Sequence, residues 1–164
     1  MKTVTSNIKK LFVIYVLLAL TAGDSFADSS FDGSAEKETY CQWSVNNYAI
    51  NEPLCGLTGN AIRGKKIASN GSKGNCLACH QLPIDGIEAY GTIGPSLAGV
   101  GSRLPEGFIR LRVVDTRNIS PMSIMPGFYR DPKLIHRPGK KYIGRTFLTA
   151  QEVEDVIAYL VTLK

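Results

Sequence analysis

The chain is 164 residues long, 44% hydrophobic and 20% charged, with 19 Lys or Arg against 14 Asp or Glu and a net charge of +5. Such a length suits one domain with a small appendage, and no internal repeat or low-complexity segment argues for anything but a globular chain. Three lysines and Asp24 put +2 of the charge into the first 27 residues, and the remaining +3 is too small to suggest a nucleic-acid partner.

Residues 1–27 have the pattern of a cleavable export signal. Lys2, Lys9 and Lys10 form a positive start, and Leu11 to Ala22 form an apolar run. Ser25 and Ala27 supply the small residues a signal peptidase reads, so Asp28 is the expected mature start. The apolar run holds about a dozen residues against the roughly 20 a spanning helix needs. The mature chain is therefore expected outside the cytoplasm, with no membrane span.

Residues 28–58 read as an irregular N-terminal extension carrying Cys41 and Cys55, and 59–164 as the main domain. Free thiols are unusual outside the cytoplasm. Cys41 and Cys55 most simply form a disulfide, closing a loop of about 15 residues for roughly 3 kcal/mol; the bolder reading is a reactive thiol pair. Gly59 to Ser69 is a short helix candidate with Ile62 and Ile67 partly on one side. Gly64 inside it costs about 1 kcal/mol against alanine, which close approach by another helix would justify. Gly86 to Gly101 reads as a loop, and Pro105 to Val114 as a helix with proline in its first turn.

From Asn118 to Arg145 the recurrence of Pro121, Pro126, Pro132 and Pro138 forbids a long helix. The last helix is the clearest element. Thr149 and Glu152 form a capping box, after which Val153, Val156, Ile157, Leu160 and Leu163 repeat at helical spacing. Terminal helices with loops between them predict an all-α fold of low regularity.

The chemistry lies in NCLACHQLP, Asn75 to Pro83. Two thiols three positions apart match the two vinyl groups of haem, and a histidine directly after the second can bind the iron. Cys76 and Cys79 are thus the expected thioethers to one covalently attached haem c, and His80 the expected axial ligand. Structural zinc would need a second close pair of ligands, and Cys41 and Cys55 are too far apart in sequence to provide it. A thioredoxin-like pair would need a βαβ pattern that is not visible.

A methionine as second axial ligand favours electron transfer by raising the potential. Within PMSIMPGFYR, Met125 beside the stiffening Pro126 is favoured over Met122, with His136 as the runner-up ligand. The second ring nitrogen of the ligand histidine needs a partner of its own, for which the Pro95 carbonyl in Gly94-Pro95 is the candidate.

With these motifs in view, residues from about Gly59 to Lys164 resemble the SoxX family, the monohaem class I cytochrome c subunits of the SoxAX complexes of bacterial sulfur oxidation. GKKIA, NCLACHQLP, GTIGPSLAGVGSR, RLRVVDTR, SIMPGFYR and LTAQEVEDVIAYLVTLK carry the resemblance. It implies a cytochrome c fold, one haem c with histidine and methionine ligands, and a heterodimer with a SoxA-like c-type cytochrome. It also implies a part in L-cysteine S-thiosulfotransferase, which couples thiosulfate oxidatively to a cysteine of a transiently bound SoxYZ-like carrier. The bond-forming chemistry is then expected on the SoxA-like partner, and this chain relays electrons to an electron-accepting cytochrome. The rival readings are a free-standing periplasmic cytochrome c serving a terminal oxidase, and an open-iron haem catalyst.

Between Arg103 and Arg145 stand ten Lys or Arg and three acids, a local balance of +7. A solvated basic surface that also pairs with haem propionates explains it simply. The functional alternative is that some of these charges steer an acidic partner or an anionic sulfur substrate.

Overall fold

The computed structural model describes residues 39–164; the expected export signal at 1–27 and the start of the extension lie outside the described residues. Four α-helices run through them: α1 Ala61–Ser69, α2 Val100–Arg103, α3 Glu106–Asp115 and α4 Ala150–Thr162. Short 3-10 turns lie between, and the described residues contain no strand, only an isolated bridge between Asn46 and Ala49. The expected all-α, loop-rich fold is what the chain adopts.

Local chemistry sets the helix boundaries. Asn60 caps α1 by accepting the Arg63 backbone N–H, and Thr149 with Glu152 forms a complete capping box on α4. Val153, Val156, Ile157 and Leu160 are buried along α4, whereas Leu163 is its half-buried C-cap. Glycine lets α1 and α4 cross at close range. A Cβ on Gly64 would meet the Asp155 carbonyl and lie 2.9 Å from the Tyr159 Cβ; one on Gly59 would meet Glu154 and Ala158. Close packing is therefore why a poor helix former stands inside α1.

Two buried carboxylates on α4 tie the frame together. Asp155, 1% exposed, accepts the Asn60 N–H at 2.7 Å, two Arg63 guanidinium N–H groups at 2.7 and 2.9 Å, and the Gln151 amide at 2.9 Å. Glu154 accepts the Leu54 N–H at 2.9 Å and the Nε and Nη2 of Arg110, each at 3.0 Å. Arg110 also donates to the Ile50 carbonyl at 3.0 Å and to Glu106. Burial works against the Arg110 charge, but Glu154 and Glu106 overcome it and hold the guanidinium pKa above its ordinary value. One ion-pair cluster therefore joins α3, α4 and the segment before α1.

That segment is part of the core. Cys41 and Cys55 are disulfide-bonded with Cα atoms 5.6 Å apart, and Ile50 and Leu54 between them are buried. Three sequence expectations need correction. Ile62 is exposed, because only the Gly64–Ile67–Ala68 side of α1 faces α4. The glycine-rich stretch ending at Gly101 runs into α2, whose Gly101 N–H donates to the Leu163 carbonyl at 2.8 Å. Arg110, counted among the surface-type basic residues, lies in the interior.

Candidate haem-binding site

The Cys-Leu-Ala-Cys-His stretch is presented by a sequence of tight turns. The Gly74 N–H returns to the Ile67 carbonyl at the end of α1, and Asn75 takes a left-handed conformation at φ 47°. Cys76–Ala78 then forms a 3-10 turn, with the Cys79 and His80 N–H groups both donating to the Cys76 carbonyl at 3.1 and 2.9 Å. Both thiols and the imidazole are thereby set on a single turn of chain. Cys76 and Cys79 are free of any disulfide. Burial pushes the Cys76 thiol up to about 11, so it stands protonated and uncharged in the wall at neutral pH.

A second strand of chain is laid along this turn. Gly91, Gly94 and Leu97 donate their N–H groups to the carbonyls of Leu77, Cys79 and Gln81 at 2.8, 2.8 and 2.9 Å. Gly94 passes so close to the imidazole that a Cβ there would lie 2.6 Å from the His80 Nδ1. The close approach brings the Pro95 carbonyl to 2.7 Å from Nδ1. A carbonyl oxygen only accepts, so Nδ1 must carry the hydrogen and Nε2 the free lone pair. His80 is thus held in the tautomer that a metal ligand requires.

PMSIMPGFYR contributes to the same cavity. Met125 is half-buried against the core and lines the same cavity as Cys76, Cys79, His80 and Pro95. Met122 is 88% exposed, and neither it nor the exposed His136 contributes to the lining. The structure thus separates the two methionines that the sequence left as alternatives. The cavity holds about 930 Å³, and its walls are made by apolar side chains of α2, α3 and α4 such as Val100, Ile109, Val113 and Leu160.

Whether haem fits is a question about this donor set. Two thiols, an imidazole with its lone pair free and a thioether surround an apolar space, and the cationic Arg103, Arg112 and Lys141 stand in its lining. An apolar macrocycle with charged carboxylates at one edge and iron at its centre requires such a set. The residues fit the group.

Sequence reasoning missed the polar supports. Arg103 donates to the Ser96 and Ala98 carbonyls, Lys73 pairs with Glu152, and Asp115 pairs with both Arg117 and Arg130. The only hint was an excess of arginine near loops. Lys73 and Glu152, 79 positions apart, and Arg130 and Asp115 leave no local pattern.

The Cytochrome c family model matches residues 61–164, and the chain belongs to the cytochrome c family. Seven chains of solved structures match it. One, from the crystal structure of SoxXA of P. pantotrophus, is 35% identical with a TM-score of 0.67, the match covering 74% of this chain and 94% of that one. No curated protein matches. Within its family the chain is a SoxX-like class I cytochrome c. Its cofactor is covalently attached haem c, and its role is electron transfer.

Proposed function

We propose that this chain is the electron-accepting subunit of a periplasmic SoxAX-type complex, paired with a SoxA-like haem protein. The observation that carries the reading is the 35% identity to a chain of SoxXA along 94% of that chain's length. In such a complex the thiol of a SoxYZ-like carrier and thiosulfate are joined by a new S–S bond, and one proton and two electrons leave. The electrons pass on singly through this chain to an electron-accepting cytochrome.

Bound haem c supplies a reversible one-electron couple; the rest is done by the polypeptide. Cys76 and Cys79 would hold the group through thioether bonds, and His80 and Met125, which line the same cavity, would ligate its iron. The Pro95 carbonyl fixes the His80 ring with its hydrogen on Nδ1, leaving the lone pair on Nε2, and makes it more basic. The apolar walls exclude water, which lowers the local dielectric and raises the potential. No residue of the cavity is proposed to make or break the S–S bond.

The basic excess has also become specific. Arg110, Arg117 and Arg130 are satisfied by internal carboxylates. Lys133, Arg137, Lys140, Lys141 and Arg145 are exposed and have no acidic partner among the described residues. Lys141 also lines the cavity, so this cationic segment reaches its rim. It suits an acidic docking partner.

Purification of the native protein under gentle conditions, followed by haem staining after denaturing electrophoresis, tests the reading. Two stained bands in fixed ratio, with thiosulfate-dependent reduction that requires the carrier, are expected. A single stained protein, reduced only by other cytochromes, would establish the free-standing carrier instead.

A further inference from the structure

The segment that brings Met125 to the cavity has little to hold it locally. Among the described residues, the one polar tie of Met125 itself is its N–H to the Ser123 hydroxyl at 3.2 Å, and Pro126 next to it has no N–H to give. What fixes the segment lies three and four residues on, where the chain meets the end of α3. The Phe128 and Tyr129 N–H groups donate to the Val113 and Val114 carbonyls at 3.1 and 3.2 Å. These are two of the carbonyls that a helix C-terminus leaves without partners.

The next residue of the helix, Asp115, completes the junction. It is 6% exposed. Its Oδ2 accepts from Arg130 Nε at 2.9 Å, and its Oδ1 accepts the Arg117 Nε at 3.0 Å and the Arg117 backbone N–H at 3.2 Å. A Cβ on Gly127 would lie 3.0 Å from the Asp115 Cγ and also meet Arg130, so the loop is pressed directly onto this carboxylate. Both oxygens are thus used, one to shape the turn after α3 and the other to seize the far end of the methionine loop. Because α3 itself lines the cavity through Ile109 and Val113, the loop is referenced to the same wall the haem would rest on.

We propose that Asp115 is the positioning residue for the distal methionine. By clamping Arg130 to the end of α3 it holds residues 125–130 in the one arrangement that presents the Met125 thioether to the iron. The strength of the sulfur–iron bond is therefore set by an ion pair outside the cavity. The inference rests on the reading of Met125 as axial ligand.

The test uses the ferric holoprotein with cyanide as the probe, because cyanide binds iron only by displacing the methionine. Asp115→Asn keeps the shape and one acceptor but removes the charge, and Arg130→Gln removes the partner on the loop. Either is expected to raise cyanide affinity about tenfold, the order of one charge-assisted hydrogen bond. The weak far-red absorption band of His/Met haem is expected to fade and the reduction potential to fall. Asp115→Glu is expected to restore part of each. Arg63→Gln, which opens an ion pair beside α1, serves as the control: it lowers thermal stability and leaves cyanide affinity unchanged.

Cyanide affinity and far-red band unchanged in both Asp115→Asn and Arg130→Gln would overturn the proposal. An effect matched by the Arg63→Gln control would do the same, since it would show mere destabilisation. A wild-type protein with no far-red band, or one in which Met125→Ala leaves that band intact, would instead remove the assignment of Met125. The two failures are distinguishable.

Discussion

The two sides of the cavity are built by different means. The cysteine and histidine side hangs from α1, which crosses α4 at glycine-to-backbone distance, and its turn is tied by short backbone hydrogen bonds to Cys76. The methionine side is a proline-interrupted loop held from a distance by the end of α3 and the Asp115 carboxylate. Rigidity on the first side comes from packing of non-adjustable backbone; on the second it comes from two backbone hydrogen bonds and an ion pair, the last of which a single substitution can release. On the proposed ligation, such an arrangement would keep the group permanently attached through one wall while the other wall tuned its potential.

The largest expected effect falls on the attached side. Replacing both Cys76 and Cys79 with serine is expected to remove all colour from the polypeptide after acid-acetone extraction, whereas Met125→Ala leaves covalent haem in place and changes only its spectrum. Colour surviving the double replacement would end the distinction between a side that holds and a side that tunes. Next in size is the frame itself. Glu154→Ala leaves the Arg110 guanidinium buried without its main partner, at a cost of about 3–5 kcal/mol in denaturant titrations. The far-red band of the remaining folded protein is expected to persist. Opening the Cys41–Cys55 disulfide by Cys41→Ser costs about 3 kcal/mol. This loss is also expected without loss of haem reduction, because the disulfide-bonded cysteines are not among the lining residues. A Cys41→Ser protein of normal stability that no longer passes electrons would mark the pair as a working thiol couple.

How much of this was legible in the sequence follows the same division. The α4 capping box and apolar spacing, the short α1 segment and the Cys-Leu-Ala-Cys-His turn are contained within a few residues each, so local pattern reveals them. The proximity of Pro95 to His80 could be guessed because a ligand histidine needs an acceptor for its second ring nitrogen and the Gly94-Pro95 loop offers a carbonyl. The short α2 could not, since its four residues are fixed by the bond from Gly101 to the end of α4 and not by any periodicity. Nor could the fate of the arginines be foreseen. Arg110 finds Glu154 forty-four positions away, and Arg130 finds Asp115 only because the loop folds back on α3. Charge counted along a chain says little about which charges remain available.

The smallest expected effect concerns those that do remain. Lys133 and Lys140 lie on the loop side, exposed and without acidic partners among the described residues. Neither lines the cavity, so replacing both with glutamine leaves haem ligation untouched. If this surface guides an acidic electron-transfer partner, the double variant is expected to associate several-fold more slowly at low ionic strength. The difference disappears in high salt, where the Debye length shrinks to about 3 Å. Dissociation should change little, because exposed charges at a rim act on encounter more than on the docked complex. Stopped-flow association measured across a salt series reads both quantities at once. Wild-type rates that are flat across the series would show that the partner approaches from another face, and the loop side would then be left with tuning as its only task.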